Sequence, residues 1–232
     1  MRVDSFVAWL KQLQFDGVWQ TAVLALASLV CIVVHETCHG LTAYWLGDPT
    51  AKRMGRLSLN PLRHIDWGGL LAMLLFRFGW AKPVPVDMRN FKNPKAGMAI
   101  TALAGPVSNV LLAFVAAILN RVCSIWYYQS MATAAYVLAI FFAYIEILSC
   151  GLAVFNLLPI PPLDGSKVLF SFLPPKAYVW LMRYERYGFL LLLALLFLNV
   201  LDVPLNFLRG GLLNGIETAA SWVVESVYLL FI

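Results

Sequence analysis

Two histidines and a glutamate lie close enough along the chain to form part of a metal site. His35, Glu36 and His39 belong to the segment His-Glu-Thr-Cys-His, which fits the pattern H-E-x-x-H. On an α-helix, residues four positions apart share one face, so both imidazoles can point at the same ion. The carboxylate between them can hold a water molecule at that ion and remove its proton. The pattern therefore predicts a hydrolytic metal centre.

A third protein ligand is needed, because a catalytic zinc site normally has three protein ligands and one open position. His64, the remaining histidine, lies in a polar stretch after the motif and is one candidate. Asp164 is the stronger candidate, since it ends an apolar segment, follows several prolines and precedes a glycine. An ionisable side chain is costly near a membrane and marks a functional position. Cys38 points about 100° away from His39 on a helix, so we treat it as a packing residue.

The composition is that of a membrane protein. Of the 232 residues, 61% are hydrophobic and 12% are charged. The mean hydropathy is +0.78. Soluble domains are about half apolar and about a quarter charged. We therefore expect an all-α multi-pass membrane protein whose core is a lipid-embedded helix bundle, with one domain over residues 1–232.

Apolar segments predict about five transmembrane helices, since about 20 residues are needed to cross the hydrocarbon. The segments are residues 18–46, 97–120, 132–158, 187–201 and 212–232. The last carries Glu217 and Glu225 on one helical face, so it either crosses the membrane or lies in the interface. A shorter apolar run at residues 67–80, interrupted by Arg77, favours a small re-entrant or interfacial element between the first two helices.

The distribution of basic residues predicts the orientation of the chain in the membrane. Most of the 17 lysine and arginine residues lie in two stretches, residues 47–96 and 159–186. Both stretches fall on the same side if the first three segments cross, and the positive-inside rule makes that side cytoplasmic. The N-terminus is then outside the cell membrane, and the histidine motif lies toward the cytoplasmic side. Basic loops beside a membrane also account for the formal charge of +5, so no nucleic-acid partner is expected.

Taken together, the motifs resemble the site-2 proteases, the intramembrane zinc metalloproteases of peptidase family M50. The resemblance rests on the histidine motif in a membrane helix and on a downstream Leu163-Asp164-Gly165. Three further stretches agree with it: G-P-V-S-N at residues 105–109, the loop at residues 56–66, and F-N-L-L-P at residues 155–159. It covers about residues 20–175, which implies a catalytic core there and C-terminal helices at residues 178–232.

The resemblance implies a specific set of site residues. It assigns one zinc ion to His35, His39 and Asp164, with Glu36 as the general base. The family's N-P-D-G reads P-L-D-G here, which keeps the aspartate and the glycine but leaves the role of the preceding positions open.

Two asparagines are further candidates. The resemblance implies that Asn156 and Asn109 hold an extended substrate or stabilise the oxyanion. Amide side chains also join membrane helices by hydrogen bonds, so a packing role stays open for both.

The implied activity is endopeptidase cleavage of peptide bonds in or near transmembrane segments of membrane proteins, within the lipid bilayer. A helix shields its own peptide bonds, so the substrate must unwind locally and its freed backbone groups need partners. The resemblance implies a membrane-embedded β element near residues 70–86 that pairs with such a strand. Residues 40–104 leave no room for an inserted PDZ domain, so substrate selection would fall to the membrane elements or to a separate regulatory or adaptor protein.

Two alternatives stay open. A catalytically idle relative would bind membrane segments as a scaffold or chaperone, although keeping Glu36 among the ligands argues against it. A metal transporter would need ligands along a path, and the sequence has a single candidate site and no histidine-rich track.

Overall fold

The computed structural model describes residues 18–66, 68 and 82–230, and these form helices joined by short connections. The long helices are α1 (Val18–Trp45), α3 (Pro94–Ser130), α4 (Thr133–Asn156), α6 (Pro175–Phe197) and α7 (Asp202–Leu230). The short ones are α2 (Thr50–Arg53) and α5 (Asp164–Ser171), and 3-10 turns occupy Pro61–Arg63 and Met88–Asn90. No strand occurs in this part of the chain, so the all-α prediction is confirmed there.

Three helices of the described ranges are long and apolar enough to cross a membrane: Trp19–Trp45, Pro94–Ser130 and Thr133–Asn156. The fourth and fifth apolar segments form a bent pair, Tyr187–Phe197 and Asp202–Val227, with an angle of 87° at the break. That pair counts at most as one broken span. The prediction of five spans is therefore not confirmed; the structure supports three, or four if the bent pair crosses.

The bend follows from the way α6 ends. Asn199 adopts a left-handed conformation with φ 56°. The Val200 N–H donates to the Leu195 carbonyl and the Asn199 N–H donates to the Leu196 carbonyl, both at 3.1 Å. These two bonds form a Schellman motif, which satisfies the last carbonyls of a helix and turns the chain away from its axis. Asparagine tolerates the left-handed region better than most residues, so it favours a break at this point.

The described chain divides into two compact units. The first comprises residues 18–31, 109–155 and 189–230, and the second comprises residues 32–66, 68, 82–108 and 156–188. Small side chains dominate the core of the first unit, in two clusters: Ala27, Cys31, Ala116 and Ile145, and Ala113, Ala117, Cys150, Ile216 and Ala220. Small residues let helix backbones approach closely, which favours helix association in lipid.

The β element predicted near residues 70–86 is not confirmed. Residues 69–81, with most of the predicted re-entrant run, lie outside the described residues, and residues 82–87 form neither helix nor strand. Pro83 and Pro85 favour an extended backbone at the residues that precede them. The Lys82 N–H donates to the His64 carbonyl at 2.8 Å, which attaches this segment to the loop after α2.

A buried carboxylate in the second unit joins the turn after α1 to residues 87–90. Asp48 is fully buried and accepts hydrogen bonds from the Thr50 N–H (3.0 Å) and hydroxyl (2.5 Å), the Asp87 N–H (2.7 Å) and the Asn90 amide (2.7 Å). Burial alone would raise the pKa of the Asp48 carboxyl, but these donors hold that pKa below its ordinary range. The carboxylate therefore fixes residues 87–90 beside the turn that follows α1.

Replacing Asp48 with asparagine should destabilise the second unit, because an amide has fewer lone pairs for the four donors and adds N–H groups of its own. We expect a loss of about 1–3 kcal/mol, measured as a lower temperature of thermal unfolding at pH 7. The folded carboxyl has a depressed pKa, so its stabilisation is complete above the unfolded pKa and is lost as the pH falls through the folded pKa. The difference between wild type and D48N should therefore shrink below about pH 4.

The matched control is Asp87→Asn. The Asp87 carboxylate is partly exposed and pairs at 2.6 Å with an exposed Arg89 guanidinium, and surface pairs contribute little. An equal fall in unfolding temperature for both variants would contradict the role assigned to Asp48.

Candidate metal centre

Three side chains converge on one point in the second unit. His35 Nε2 and His39 Nε2 lie 3.0 Å apart, and Asp164 Oδ2 lies 3.2 Å from the first and 3.1 Å from the second. Across the described ranges, no other set of three His, Cys, Asp or Glu side chains has its ligand atoms this close together. All three residues are buried. The structure thus joins the histidine motif to the aspartate that lies 125 residues after His39.

The hydrogen bond on the far side of the His39 ring leaves Nε2 as the atom that can bind a metal ion. His39 Nδ1 lies 2.7 Å from the Thr101 carbonyl oxygen, which can only accept. Nδ1 therefore carries a proton, and in the neutral ring Nε2 has the lone pair that a metal ion needs. Ligands about 2.0–2.1 Å from a tetrahedral ion lie about 3.3 Å from one another, close to the observed triangle. The residues thus fit a metal ion held by two imidazoles and one carboxylate.

Helix α3 supplies both the orientation and the space for the imidazoles. The Thr101 carbonyl fixes the His39 ring, as ligating histidines usually require of a second partner. Four residues later, Gly105 lies against both rings. A Cβ atom there would be 2.5 Å from His35 Cε1 and from His39 Cε1 and Nε2, so only glycine leaves room for the pair.

Asp164 is positioned at the first residue of α5, where the helix dipole favours a carboxylate. Gly165 allows this placement, because a Cβ atom there would lie 2.2 Å from the Leu157 carbonyl oxygen. One turn further on, Lys167 Nζ lies 3.6 Å from Asp164 Oδ1. Burial tends to raise the pKa of the Asp164 carboxyl, but the imidazoles and the Lys167 ammonium hold that pKa well below its usual range. The group is therefore an anion at neutral pH.

Glu36 lies on the same cavity as the three converging side chains. The cavity has a volume of about 190 Å³, and its lining also includes Asn156 and Lys167. The Val84 N–H donates to Glu36 Oε2 at 2.8 Å, which orients the carboxylate. A carboxylate held beside a metal position can accept a proton from water.

The remaining sequence candidates lie elsewhere. Asn109 is fully buried in α3 and is not among the residues that line the cavity. His64 is also buried, and its Nε2 lies 2.7 Å from the Ser58 carbonyl oxygen. Neither His64 nor Cys38 belongs to the metal-ligand group found in the described part of the chain. His64 therefore joins two parts of its own loop, at residues 58 and 64. The structure gives no support to its role as the alternative third metal ligand.

Four residues that matter to this centre were not found from the sequence. Thr101 and Val84 contribute backbone atoms, which every residue type offers, so no side-chain signal marked them. Asp48 acts at a distance, because it binds residues 87 and 90, which follow Val84 along the chain. Lys167 did carry a signal, since it lies three residues after Asp164 and thus on the same helical face.

Known proteins similar to this chain point to the same chemistry. The family model described as peptidase family M50 matches residues 119–198, which include Asp164. The Bacillus subtilis (strain 168) protein named "Putative zinc metalloprotease YwhC" is 39% identical over 172 residues, which is 74% of this chain and 78% of that protein. The chain belongs to peptidase family M50. The family predicted from the motifs is thus confirmed.

Further relatives of this M50 chain carry similar names. "Putative zinc metalloprotease Rip2" of Mycolicibacterium smegmatis (strain ATCC 700084 / mc(2)155) is 30% identical over 206 residues, 84% of this chain and 76% of that protein. "Putative zinc metalloprotease MJ0611" of Methanocaldococcus jannaschii is 37% identical over 102 residues, 44% of this chain and 48% of that protein. No solved structure matches the chain.

Replacing Gly105 with alanine in this M50 chain should weaken metal binding, because the new methyl group would occupy the space of both imidazoles. Alanine favours a helix more than glycine does, so α3 should persist. We expect metal affinity to fall by about 10–100-fold, measured as bound metal per protein against a competing chelator.

The matched control is Gly151→Ala in α4. Outside its chain neighbours and the local helix backbone, no described atom lies within 4 Å of a Cβ atom added at Gly151, so this variant should keep its metal. Full metal affinity in G105A would contradict the arrangement of the centre.

Proposed function

We propose that this M50 protein is an intramembrane zinc endopeptidase, which hydrolyses peptide bonds in or near transmembrane segments of other membrane proteins. The observation that carries the proposal is the convergence of His35, His39 and Asp164 beside Glu36. Helices long enough to cross a membrane support the intramembrane part of it. Two imidazoles and a carboxylate suit zinc, and the names of the relatives support that ion.

In the proposed mechanism, His35, His39 and Asp164 would hold one zinc ion beside the cavity. When bound, zinc supplies Lewis-acid chemistry that polarises the scissile carbonyl and lowers the pKa of water. Glu36 takes the proton of the attacking water as the new C–O bond forms. It then gives that proton to the amide nitrogen as the C–N bond breaks. The Val84 N–H keeps the carboxylate aimed at the cavity during both transfers.

Asn156 is the proposed oxyanion donor. It is the last residue of α4 and lines the cavity, and its amide N–H can donate to the oxygen on which negative charge develops. The same role for Asn109 rests on the resemblance of G-P-V-S-N alone.

Substrate binding is proposed to use the extended segment beside Glu36. Pro83, Val84 and Val86 line the same cavity. An unwound substrate strand laid along this segment would donate its N–H groups to backbone carbonyls of residues 83–85. These residues offer no N–H in return, because two of them are prolines and the Val84 N–H is bonded to Glu36. The partners are then a transmembrane protein in the bilayer and, for selection, a separate regulatory or adaptor protein.

The proposed setting is the cell membrane, with the active site toward the cytoplasmic side and the N-terminus outside. The support is the concentration of basic residues at positions 47–96 and 159–186. Labelling of single cysteines added to these stretches, in intact cells and in inverted vesicles, tests the orientation.

Replacing Glu36 with glutamine should abolish most cleavage while leaving zinc in place, because the amide keeps the shape but accepts no proton. We expect cleavage to slow by about 100- to 10,000-fold. The assay uses proteoliposomes with a panel of single-span membrane peptides, and mass spectrometry identifies the products.

Asp164→Asn is the companion variant, and it should lose both zinc and cleavage. Wild-type cleavage by E36Q would overturn the mechanism. Full zinc content in wild type with no cleavage of any peptide would instead favour a scaffold or chaperone.

A further inference from the structure

A second polar cavity lies wholly within the first unit. Its volume is about 400 Å³, and helices α3, α4 and α7 form it. The polar side chains of its lining include Asn120, Arg121, Glu146, Glu217, Ser221 and Glu225. None of them belongs to the metal centre, and the proposed peptidase mechanism uses none of them.

Glu146 forms the buried part of this cavity. It lies mid-way along α4 and is only 6% exposed. Its Oε1 has no hydrogen-bond partner among the described residues. A buried polar atom without a partner is costly, and a carboxylate within a membrane helix marks a functional position. A ligand with hydrogen-bond donors would supply what the described residues do not.

The charges of the cavity favour a cation. Among the described residues, three carboxyl groups, those of Glu146, Glu217 and Glu225, line the cavity with one guanidinium, that of Arg121. Arg121 Nη2 donates to the backbone carbonyl of Glu217 at 3.0 Å. The carboxylates do not form a group close enough to share a metal ion, since the one such group in the described ranges is at the metal centre. An organic cation with several N–H donors fits better.

The sequence around Arg121 indicates the depth in the membrane of one end of the cavity, away from the mid-helix Glu146. The α3 helix is apolar over most of residues 98–119, and Trp126, Tyr127 and Tyr128 follow Arg121. Arginine and interfacial tryptophan and tyrosine mark the level of the lipid head groups. Tyr128 also lines the cavity.

We propose that this cavity binds a primary ammonium group, which an aminophospholipid head group supplies in the bilayer. The ammonium N–H groups donate to Glu146, and Glu217 and Glu225 lie at the exposed side. Arg121 is placed to meet the phosphate of the same head group. A free polyamine carries the same ammonium chemistry in soluble form, but it has no phosphate for Arg121.

The test uses the full chain in nanodiscs made with mixed phosphatidylethanolamine and phosphatidylcholine. These head groups differ in whether the nitrogen carries N–H donors or methyl groups. Native mass spectrometry counts the lipids that stay bound. We expect wild type to retain phosphatidylethanolamine about tenfold better, and Glu146→Gln to lose that preference.

Two variants keep the result interpretable. Glu36→Gln removes a carboxylate of the metal centre, so it should lose cleavage but keep the lipid preference, which separates this proposal from the peptidase proposal. Glu217→Gln changes an exposed side chain, so it should fold even if the Glu146 variant does not, and it should weaken the preference. A lipid preference that survives in folded E146Q, or in E217Q if E146Q fails to fold, overturns the proposal.

A soluble arm distinguishes the sources of the ammonium group. Spermidine is added to wild type and to E146Q in nanodiscs of phosphatidylcholine alone, and thermal unfolding is followed. Stabilisation of wild type only, without a lipid preference, assigns the site to free amines. A lipid preference without a spermidine effect assigns it to the head group. If wild type shows neither the lipid preference nor the stabilisation by spermidine, the proposal is overturned.

Discussion

The convergence of three potential metal ligands on one point is the constraint on which the second unit depends. The imidazole nitrogens of His35 and His39 and a carboxylate oxygen of Asp164 lie 3.0–3.2 Å apart, and without a proton or a cation between them these atoms repel one another. A cation between them reverses the sign of the interaction. The surrounding structure maintains the arrangement: the Thr101 carbonyl selects the tautomer, and Gly105 leaves the space.

The proposed general base depends on a longer chain of contacts. Glu36 receives a hydrogen bond from the Val84 backbone, and Val84 belongs to a segment without helix or strand. Such a segment needs an external anchor to hold one N–H in place. Asp48 is that anchor, since it binds the Asp87 N–H and the Asn90 side chain and lies three residues after the end of α1. The buried Asp48 carboxylate thus helps to position the Glu36 carboxylate through the backbone of residues 84–87.

The metal centre and the cavity of the first unit differ in the partners that their carboxyl groups have. At the metal centre, the Glu36 carboxylate accepts from the Val84 N–H, and the Asp164 carboxylate lies beside two imidazoles and the Lys167 ammonium. In the cavity of the first unit, Glu146 has an oxygen with no partner among the residues described. A membrane protein retains such a group at a cost, so the contrast indicates a binding site rather than a packing contact.

The sequence by itself determined what is local or chemically distinctive. The spacing of His35 and His39 places them on one face of any helix, and the apolar composition makes that helix a membrane segment. Asp164 was recognisable because a carboxylate is costly beside apolar residues. Only the tertiary structure decided which groups complete the site. Thr101 and Val84 act through backbone atoms, and Gly105 matters because it has no Cβ atom. Their roles depend on contacts between residues far apart in the sequence, which no local pattern encodes.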